Sequence, residues 1–372
     1  MLSVSQYELA EEAARARHPN RIIEAFSPII FEKLNYPHRV RNTSELWKYL
    51  DVMHEAEYLS NRDRSQKILT PQEFIFFKRI ALILQEFASE EFQMKAIPWN
   101  TLLGTLRLFR HVQLILDPTN KNRILEIGPG CGYMGLILML AGYPYACTDI
   151  SQAFYLFQNH LFASIFKDQF QELALGRESV METIATTQDP MRLHIPWWKY
   201  VEMWPEMIPE FDIIVADRVL SEMHPNSLVF LLKTAMKSFR NPSQIKGIVF
   251  SNWGYIGDRN ISAIIDAFYS CGYAAAVLQS NVSFFATRES AKANGLEILE
   301  KHHVEQLFSD TTTFIAGTHK FPFFHNVIQT SQLLQDHSVV SIQEIIDFLA
   351  ASLGGEEWIH SQDARFLDYV RL

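Results

Sequence analysis

The stretch ILEIGPGCGYMG, residues 124–135, limits what this chain can fold into more than any other part of the sequence. An apolar run that contains one carboxylate, Glu126, leads directly into four glycines within eight positions. Glycine lets a chain turn sharply and brings its backbone close to a ligand, because no Cβ stands in the way. A helix that begins just after such a turn presents free N–H groups. The stretch therefore predicts a strand, a ligand-binding turn and a helix, in that order.

Short β-type runs alternate with amphipathic segments over residues 123–288, which predicts a doubly wound parallel sheet. Five strands are predicted at RILEIG (123–128), YACTDI (145–150), near MRLHI (191–195), at FDIIVAD (211–217) and at GIVFSN (247–252). Helices are predicted after Gly132, Ser151, His224 and Asn260. The segment AAAVLQSNVSFFATR adds two strands separated by Ser280 and Asn281, so the sheet of seven strands ends in an antiparallel hairpin. The predicted fold class is α/β and Rossmann-like.

Patterns outside this region predict three consecutive parts. Residues 1–115 form a helical N-terminal region, residues 116–288 the cofactor-binding sheet domain, and residues 289–372 a C-terminal extension, mixed or helical. The long stretch 167–190 between two strands is interpreted as an insertion over the site.

Two capping boxes mark helix starts in the flanking parts. Thr70 and Glu73 fit one box, with Pro71 at the first helical position. Ser341 and Glu344 fit the other, ahead of an apolar stripe that favours a core position or a contact within a homo-oligomer.

Composition excludes several classes of function. The formal net charge is −9 and no Lys/Arg-rich block occurs, so nothing supplies the phosphate-neutralising surface that nonspecific nucleic-acid binding requires. No segment approaches the roughly 20 apolar residues of a membrane span, and the N-terminal stretch alternates charges where a secretory peptide is apolar. Cys131, Cys147 and Cys271 are widely spaced, which favours reduced thiols. We therefore expect a cytoplasmic protein with a small-molecule partner and no membrane or nucleic-acid role.

The glycines fit two cofactor patterns. Gly130, Gly132 and Gly135 satisfy G-x-G-x-x-G, the dinucleotide fingerprint. Glu126 followed by Gly128, Gly130 and Gly132 satisfies the acidic-x-Gly-x-Gly-x-Gly pattern of S-adenosylmethionine enzymes. The strand runs straight into Gly128, so a dinucleotide fingerprint would begin two residues late. A carboxylate repels a diphosphate but attracts the ammonium and sulfonium cations of S-adenosylmethionine, which favours the second pattern.

Asp149 ends the second predicted strand, where a carboxylate can accept hydrogen bonds from both ribose hydroxyls of an adenosine. NAD and S-adenosylmethionine would both use it in this way. We include the next residue, Ile150, among the expected cofactor contacts.

Residues 123–288 resemble the class I S-adenosylmethionine-dependent methyltransferases. Three stretches are similar, more narrowly, to the sugar O-methyltransferase family of bacteria: HIPWW at 194–198, LSEMHP at 220–225 and SNW at 251–253. The resemblance implies S-adenosyl-L-methionine as cofactor and a hydroxyl of a sugar, sugar nucleotide or glycosylated metabolite as methyl acceptor. That family tends to carry an Asn-His type stretch where this chain has Asp217 and Arg218.

The segment FDIIVADRVLSEMH brings polar side chains to the carboxyl end of the fourth predicted strand, the edge at which open α/β sheets bind ligands. A hydroxyl acceptor is a poor nucleophile until its proton leaves, so we expect a general base there. His224 is best suited to neutral pH, with Glu222 and Asp217 as competitors, and a passive helix-start role for His224 stays open. Arg218 is a candidate acceptor contact or a partner of Glu222.

Aromatic residues follow the third predicted strand. Trp197 is a candidate to flank the adenine and Trp198 to contact the acceptor, although most aromatic residues are simply core. His194 is interpreted as a structural, hydrogen-bonding histidine. Asn252 and Trp253, after the fifth strand, are candidate acceptor contacts.

Neither His-Glu-x-x-His nor paired carboxylates at ligand spacing occur, so no metal site is predicted, although a divalent-cation site to which Asp217 and Glu222 contribute stays open. Three alternatives to a sugar O-methyltransferase stay open. They are an O- or N-methyltransferase of a nonsugar natural product, an NAD-binding oxidoreductase and a noncatalytic binding module.

Overall fold

The computed structural model describes residues 1–28, 38–50, 69–113, 115–116, 122–187, 190–203, 211–217, 219–238, 246–251, 261–279, 282–309 and 340–353. Strands β1 to β8, in chain order, are Ile124–Ile127, Tyr145–Asp149, Gln171–Glu172, Arg192–Pro196, Ile213–Val215, Gly247–Ser251, Tyr273–Gln279 and Val282–Thr287. Helices α1 to α13 are Val4–Arg15, Asn20–Ala25, Pro71–Phe92, Trp99–Gln113, Tyr133–Leu140, Gln152–Phe166, Val180–Thr186, Trp197–Glu202, Pro225–Ser238, Ile261–Ser270, Arg288–Ala293, Lys301–Ser309 and Ile342–Leu353. Short 3₁₀ helices cover Thr43–Tyr49 and Lys167–Gln169.

Across these residues the strands form one 8-stranded sheet in the spatial order β3, β4, β2, β1, β5, β6, β8, β7. The pairs from β3 to β6 are parallel, whereas β8 runs antiparallel to both β6 and β7. Every residue of β1, β2, β4 and β5 is buried, as expected for parallel strands that are covered on both faces. The predicted α/β class, with its doubly wound sheet and final hairpin, is confirmed.

The helices predicted after Gly132, Ser151, His224 and Asn260 begin at the very next residue in each case. Gly132 and Ser151 are the N-caps of α5 and α6, and the Ser151 hydroxyl accepts a hydrogen bond from the Phe154 N–H. A serine cap such as Ser151 typically contributes about 1 kcal/mol to helix stability, whereas Gly132 makes no side-chain capping bond. All four predicted helix starts therefore agree with the structure.

Both predicted capping boxes form. In α3 the Thr70 hydroxyl accepts from the Glu73 N–H at 3.2 Å, and the Glu73 carboxylate accepts from the Thr70 N–H at 2.8 Å. The Ser341 hydroxyl and the Glu344 carboxylate make the same reciprocal pair ahead of α13.

The sheet has one strand more than the seven predicted. The additional strand, β3, lies within the 167–190 stretch and pairs with the edge of β4, with Gln171 opposite Leu193 and Glu172 opposite His194. Two residues of this stretch therefore extend the sheet at its edge, and helix α7, Val180–Thr186, lies within the same stretch.

The chain divides into two compact units, Met1–Thr43 with His111–His325 and Ser44–Arg110 with Asn326–Leu372. The division of the sequence into 1–115, 116–288 and 289–372 stays a prediction. In the first unit, α1 docks on the sheet domain: the Leu2 N–H donates to Asn159 Oδ1 at 2.7 Å. In the second unit, Leu69 forms a β-bridge with Val340. Each compact unit thus combines stretches that lie far apart in the sequence, and local sequence patterns do not reveal such contacts.

Candidate functional site

The glycine turn follows β1 as predicted and requires glycine for two separate reasons. Gly128 and Gly132 have φ angles of +62° and +74°, in the left-handed region that disfavours a side chain. A Cβ on Gly128 would lie 2.7 Å from the Val219 side chain, and one on Gly132 would lie 2.8 Å from the Phe162 ring. The turn is therefore packed between α6 and the loop that follows β5. Gly130, between them, has open space where its Cβ would be.

Glu126 is buried at 2% exposure in β1, immediately below this turn. The Tyr145 hydroxyl donates to its Oε2 at 2.5 Å. Burial raises the pKa of Glu126 to about 8; hydrogen bonds from Tyr145 and the Gly135 N–H lower it, and the charges of Asp217 and Asp149 raise it. The carboxyl group therefore holds a proton at neutral pH and becomes a carboxylate when a cation approaches.

Asp149 lies at the carboxyl end of β2, beside the turn, and is 5% exposed. The Ser151 N–H donates to Oδ1 at 2.9 Å and the Gln158 amide donates to Oδ2 at 3.0 Å. Burial raises the pKa of Asp149 to about 6, against the lowering effect of the Ser151, Gln158 and Gly130 hydrogen bonds and the His194 charge. Ile150 follows at the sheet edge and is partly buried. The structure thus brings the predicted acid of the first strand and that of the second to the two sides of one glycine turn.

A buried polar network behind Asp149 was not predicted. The Gln158 amide donates both to Asp149 and to the Gly130 carbonyl, the latter at 2.7 Å. Its oxygen faces His194 Nε2 at 3.0 Å, and His194 Nδ1 lies 2.7 Å from a Glu172 carboxylate oxygen. His194 is completely buried and stacks on Tyr155 with ring centroids 3.7 Å apart. The structural role expected for His194 agrees with these contacts.

The tryptophans Trp197 and Trp198 lie at the start of α8, directly beyond the end of β4, and both are buried. The Trp197 indole donates to Glu11 Oε1 at 3.1 Å, and its ring stacks on Phe26. Trp198 meets Tyr7 edge to face at 5.3 Å. Both rings therefore pack beneath the N-terminal helices, and an acceptor contact by Trp198 would require α1 to move.

Helix α1 also contributes charged and polar groups beside the ends of β2 and β4. The Glu11 carboxylate accepts from Arg39 at 2.6 Å and from Arg15 at 3.2 Å. Tyr7 is completely buried, and its hydroxyl has no hydrogen-bond partner among the described residues. Sequence reasoning did not assign these residues to the sheet domain, because nothing local links a helix at residue 10 to a strand at residue 149.

The loop after β5 carries the predicted catalytic residues. Asp217 is partly buried, and its charge raises the pKa of Glu126, which places the two carboxyl groups near each other. Glu222, five positions further along the chain, is also partly buried. Between them Ser221 is 4% exposed, and within the described part of the chain its hydroxyl has no hydrogen-bond partner. Loop and turn together form the carboxyl edge at which a reaction can take place.

His224 is positioned as a cap for α9. Its Nδ1 lies 3.1 Å from the Asn226 N–H, and its carbonyl accepts from the Ser227 hydroxyl at 2.8 Å. A backbone N–H can only donate, so Nδ1 is the acceptor and the proton of the neutral ring resides on Nε2. A base needs a free lone pair, and in this arrangement the ring offers none. The passive reading of His224 gains support over the catalytic one.

Three predicted acceptor contacts, Arg218, Asn252 and Trp253, lie outside the described residues. Within the described ranges, no group of three or more His, Cys, Asp or Glu side chains is arranged to hold a metal ion. Among the helices described, none combines the length and the apolar character needed to traverse a bilayer.

No protein-family profile and no curated protein matches this sequence. Among solved structures, similarity is found to the magnesium protoporphyrin IX methyltransferase of Synechocystis PCC 6803 with bound SAM, at 11% identity over 56% of this chain and 95% of that one, with a TM-score of 0.31. The pyocyanin biosynthetic protein PhzM is 12% identical over 51% of this chain and 57% of its own, with a TM-score of 0.33. PigF with SAH is 12% identical over 58% of this chain and 71% of its own, with a TM-score of 0.32. Likenesses this weak carry no argument about activity, so the function is argued from the residues of this chain.

Proposed function

We propose that this chain is an S-adenosyl-L-methionine-dependent methyltransferase. The observation that carries the proposal is the buried Glu126, which lies below the glycine turn and beside Asp149. A diphosphate at this turn would be repelled by Asp149 and would gain nothing from Glu126, which is protonated in the empty site and becomes a carboxylate only beside a cation. A donor with an ammonium and a sulfonium group instead supplies the positive charge that such a pocket lacks.

The three parts of the donor match three parts of the site. The ribose hydroxyls are assigned to Asp149, the methionine ammonium to Glu126, and the backbone of the glycine turn lies against the donor. Ile150 lines the adenosine region in this proposal. Trp197 belongs to the wall of that region, held by Glu11, rather than to an exposed stacking face.

The acceptor is proposed to be a hydroxyl of a sugar, sugar nucleotide or glycosylated metabolite, reached from the loop 217–224. Methyl transfer is an in-line displacement in which the acceptor oxygen attacks the sulfonium methyl, so holding the two in line and excluding water supplies much of the acceleration. Asp217 or Glu222 is the proposed base that takes the hydroxyl proton, since His224 Nδ1 caps a helix. Arg218, Asn252 and Trp253 remain proposed acceptor contacts.

Calorimetry tests the donor assignment directly. S-adenosylhomocysteine is expected to bind the wild-type protein, NAD is not, and Asp149→Ala is expected to weaken binding by about 10- to 100-fold through loss of its ribose hydrogen bonds. If the protein binds NAD and does not bind S-adenosylhomocysteine, the result would favour an oxidoreductase and overturn the proposal. Ser341→Ala, a cap in the other compact unit, serves as the control variant.

The acceptor class is tested by release of S-adenosylhomocysteine in the presence of glycosylated and nonglycosylated hydroxyl or amine compounds. Turnover only with a nonsugar acceptor would support the proposed methyltransferase activity but contradict the proposed sugar acceptor. Donor binding without turnover on any of them would indicate a binding module. Single-turnover rates of Asp217→Asn and Glu222→Gln then identify the base. We also propose a cytoplasmic location, consistent with Cys131, Cys147 and Cys271 all being free thiols.

A further inference from the structure

Gln158, on α6, connects the two ligand-facing parts of the proposed donor site. Its side-chain nitrogen donates one hydrogen bond to Asp149 Oδ2 at 3.0 Å and the other to the Gly130 carbonyl at 2.7 Å. The Gly130 N–H also bonds to Asp149, so one glycine peptide, one carboxylate and one amide form a closed group. Gln158 is completely buried, and its Cγ would lie 3.2 Å from a Cβ on Gly132. A single side chain thus braces both the turn and the acid.

The orientation of this amide is fixed by His194. Both N–H groups of Gln158 are used by acceptors, so the atom that faces His194 Nε2 at 3.0 Å is the amide oxygen. His194 Nε2 must therefore donate. Its Nδ1 faces a Glu172 oxygen at 2.7 Å, and a carboxylate can only accept. Both ring nitrogens carry protons, and His194 is a buried imidazolium.

Glu172 balances that charge. It accepts hydrogen bonds from four donors: the Tyr155 hydroxyl at 2.5 Å, the Ala174 N–H at 2.8 Å, the Asn159 amide at 2.7 Å and His194 Nδ1. Burial raises the pKa of Glu172, but the His194 charge and these hydrogen bonds outweigh it and hold the pKa below its usual range. A buried ion pair with all its hydrogen bonds made favours one arrangement over others.

We infer that Gln158 is a positioning residue of the donor site, which holds the Asp149 carboxylate and the Gly130 peptide where the donor nucleoside binds, while the His194–Glu172 pair fixes the amide of Gln158. This inference rests on the proposed function. It also gives β3 and β4 an indirect role in donor binding, because Glu172 and His194 on these strands fix the Gln158 amide. The titratable groups facing Gln158 are Asp149 from β2 and His194 from β4, with Glu172 of β3 behind the imidazole.

The test compares Gln158→Met with Gln152→Met. Gln152 is a matched control because it is also buried on α6 and also makes three side-chain hydrogen bonds, accepting from the Val40 N–H at 2.8 Å and donating to Glu8 at 3.2 Å and to the Val40 carbonyl at 3.5 Å. Its partners lie on the N-terminal segment rather than on the turn. The dissociation constant of S-adenosylhomocysteine is measured by calorimetry from pH 5.5 to pH 8.5, together with the melting temperature of each ligand-free variant.

Gln158→Met is expected to weaken binding at pH 7.5 by about tenfold or more, the loss that follows from removing hydrogen bonds to a charged group. Because Asp149 then loses a donor, its pKa should rise by about one unit, so the ratio of variant to wild-type affinity, in which the Glu126 contribution cancels, should fall further as the pH is lowered from about 8 to about 6. Gln152→Met should leave affinity within about twofold and its pH profile unchanged, even where both variants melt at the same lower temperature.

A second variant, Gln158→Glu, keeps the volume of the side chain. When ionised, the introduced carboxylate repels Asp149 and donates nothing to Gly130, so its affinity relative to wild type should be lowest at pH 8.5 and recover toward pH 5.5. Equal effects at positions 152 and 158, or a ratio of Gln158→Met to wild-type affinity that does not change with pH, would overturn the positioning role. Failure of the wild-type protein to bind S-adenosylhomocysteine would instead refute the proposed function itself.

Discussion

Binding of a cationic donor beside Glu126 should expel a proton from the protein. With a pKa of about 8, the Glu126 carboxyl is about nine tenths protonated at pH 7. An ammonium within hydrogen-bond reach stabilises the carboxylate and shifts the pKa back by about 3 units, a differential interaction of about 4 kcal/mol. Only about one hundredth of the group then stays protonated at pH 7. The expected release from this residue is therefore about 0.9 proton per bound donor.

Two smaller contributions nearly cancel. Asp149, with a pKa of about 6, releases about 0.1 proton at pH 7 if the ribose hydroxyls favour its carboxylate. The donor's own amino group, with a free pKa of about 7.8, takes up about 0.1 proton as it binds in its charged form. The net expectation at pH 7 stays near 0.9 proton.

The assay is calorimetric titration with S-adenosylmethionine at pH 7 in buffers of different ionisation enthalpy, in which the slope of observed heat against buffer enthalpy counts the protons released. Glu126→Gln keeps an acceptor for Tyr145 but has no proton to lose, so its slope should fall to near zero. A wild-type slope near zero would refute the placement of a cation beside Glu126. An unchanged slope in Glu126→Gln would assign the released proton to another group.

Three further predictions concern stability, each measured by urea unfolding of the ligand-free protein. His224→Ala should cost about 1 kcal/mol through loss of the cap on α9, whereas His224→Asn should retain most of that stability; equal losses would argue against a capping role. Gly135→Ala should destabilise by about 1–3 kcal/mol, since its Cβ would lie 2.3 Å from the Tyr145 hydroxyl, and a neutral effect would contradict that packing. Tyr7→Phe should leave stability unchanged or raise it by about 1 kcal/mol, because it removes a buried hydroxyl that has no partner among the described residues; a clear loss would show that the hydroxyl is bonded.

The sheet and its site edge could be read from the sequence because their signals are local. A β-type run ending in glycines, or a Ser followed by an apolar run, specifies its own strand or helix start. Glu126 and Asp149 are predicted as site residues in the same way, since each occupies a set place relative to its own strand. The short β3 was missed, because two residues carry no detectable alternation and depend on β4 for their pairing.

Residues that act through distant partners could not be found this way. Glu172 gains its role only when β3 pairs with β4 and brings His194 to it, which is a consequence of tertiary structure. The aromatic residues Trp197 and Trp198 suggested a ligand surface, yet their partners come from helices more than 170 residues earlier in the chain, such as Glu11, which lies 186 positions from Trp197. When a distant segment covers a residue, the sequence around that residue does not show that it will be buried.

The strand order at the far side of the sheet also restricts how the chain can be made. The last of the described strands to be synthesised, β8, lies between β6 and β7, so among the described residues β6 has no neighbour on that side until Val282–Thr287 has been made. Until then, the main-chain groups of Gly247–Ser251 offer an open edge that another nascent chain can pair with. Fragments designed to end before residue 282 would keep that edge permanently, which predicts aggregation of such fragments even when all of β1 to β6 is present.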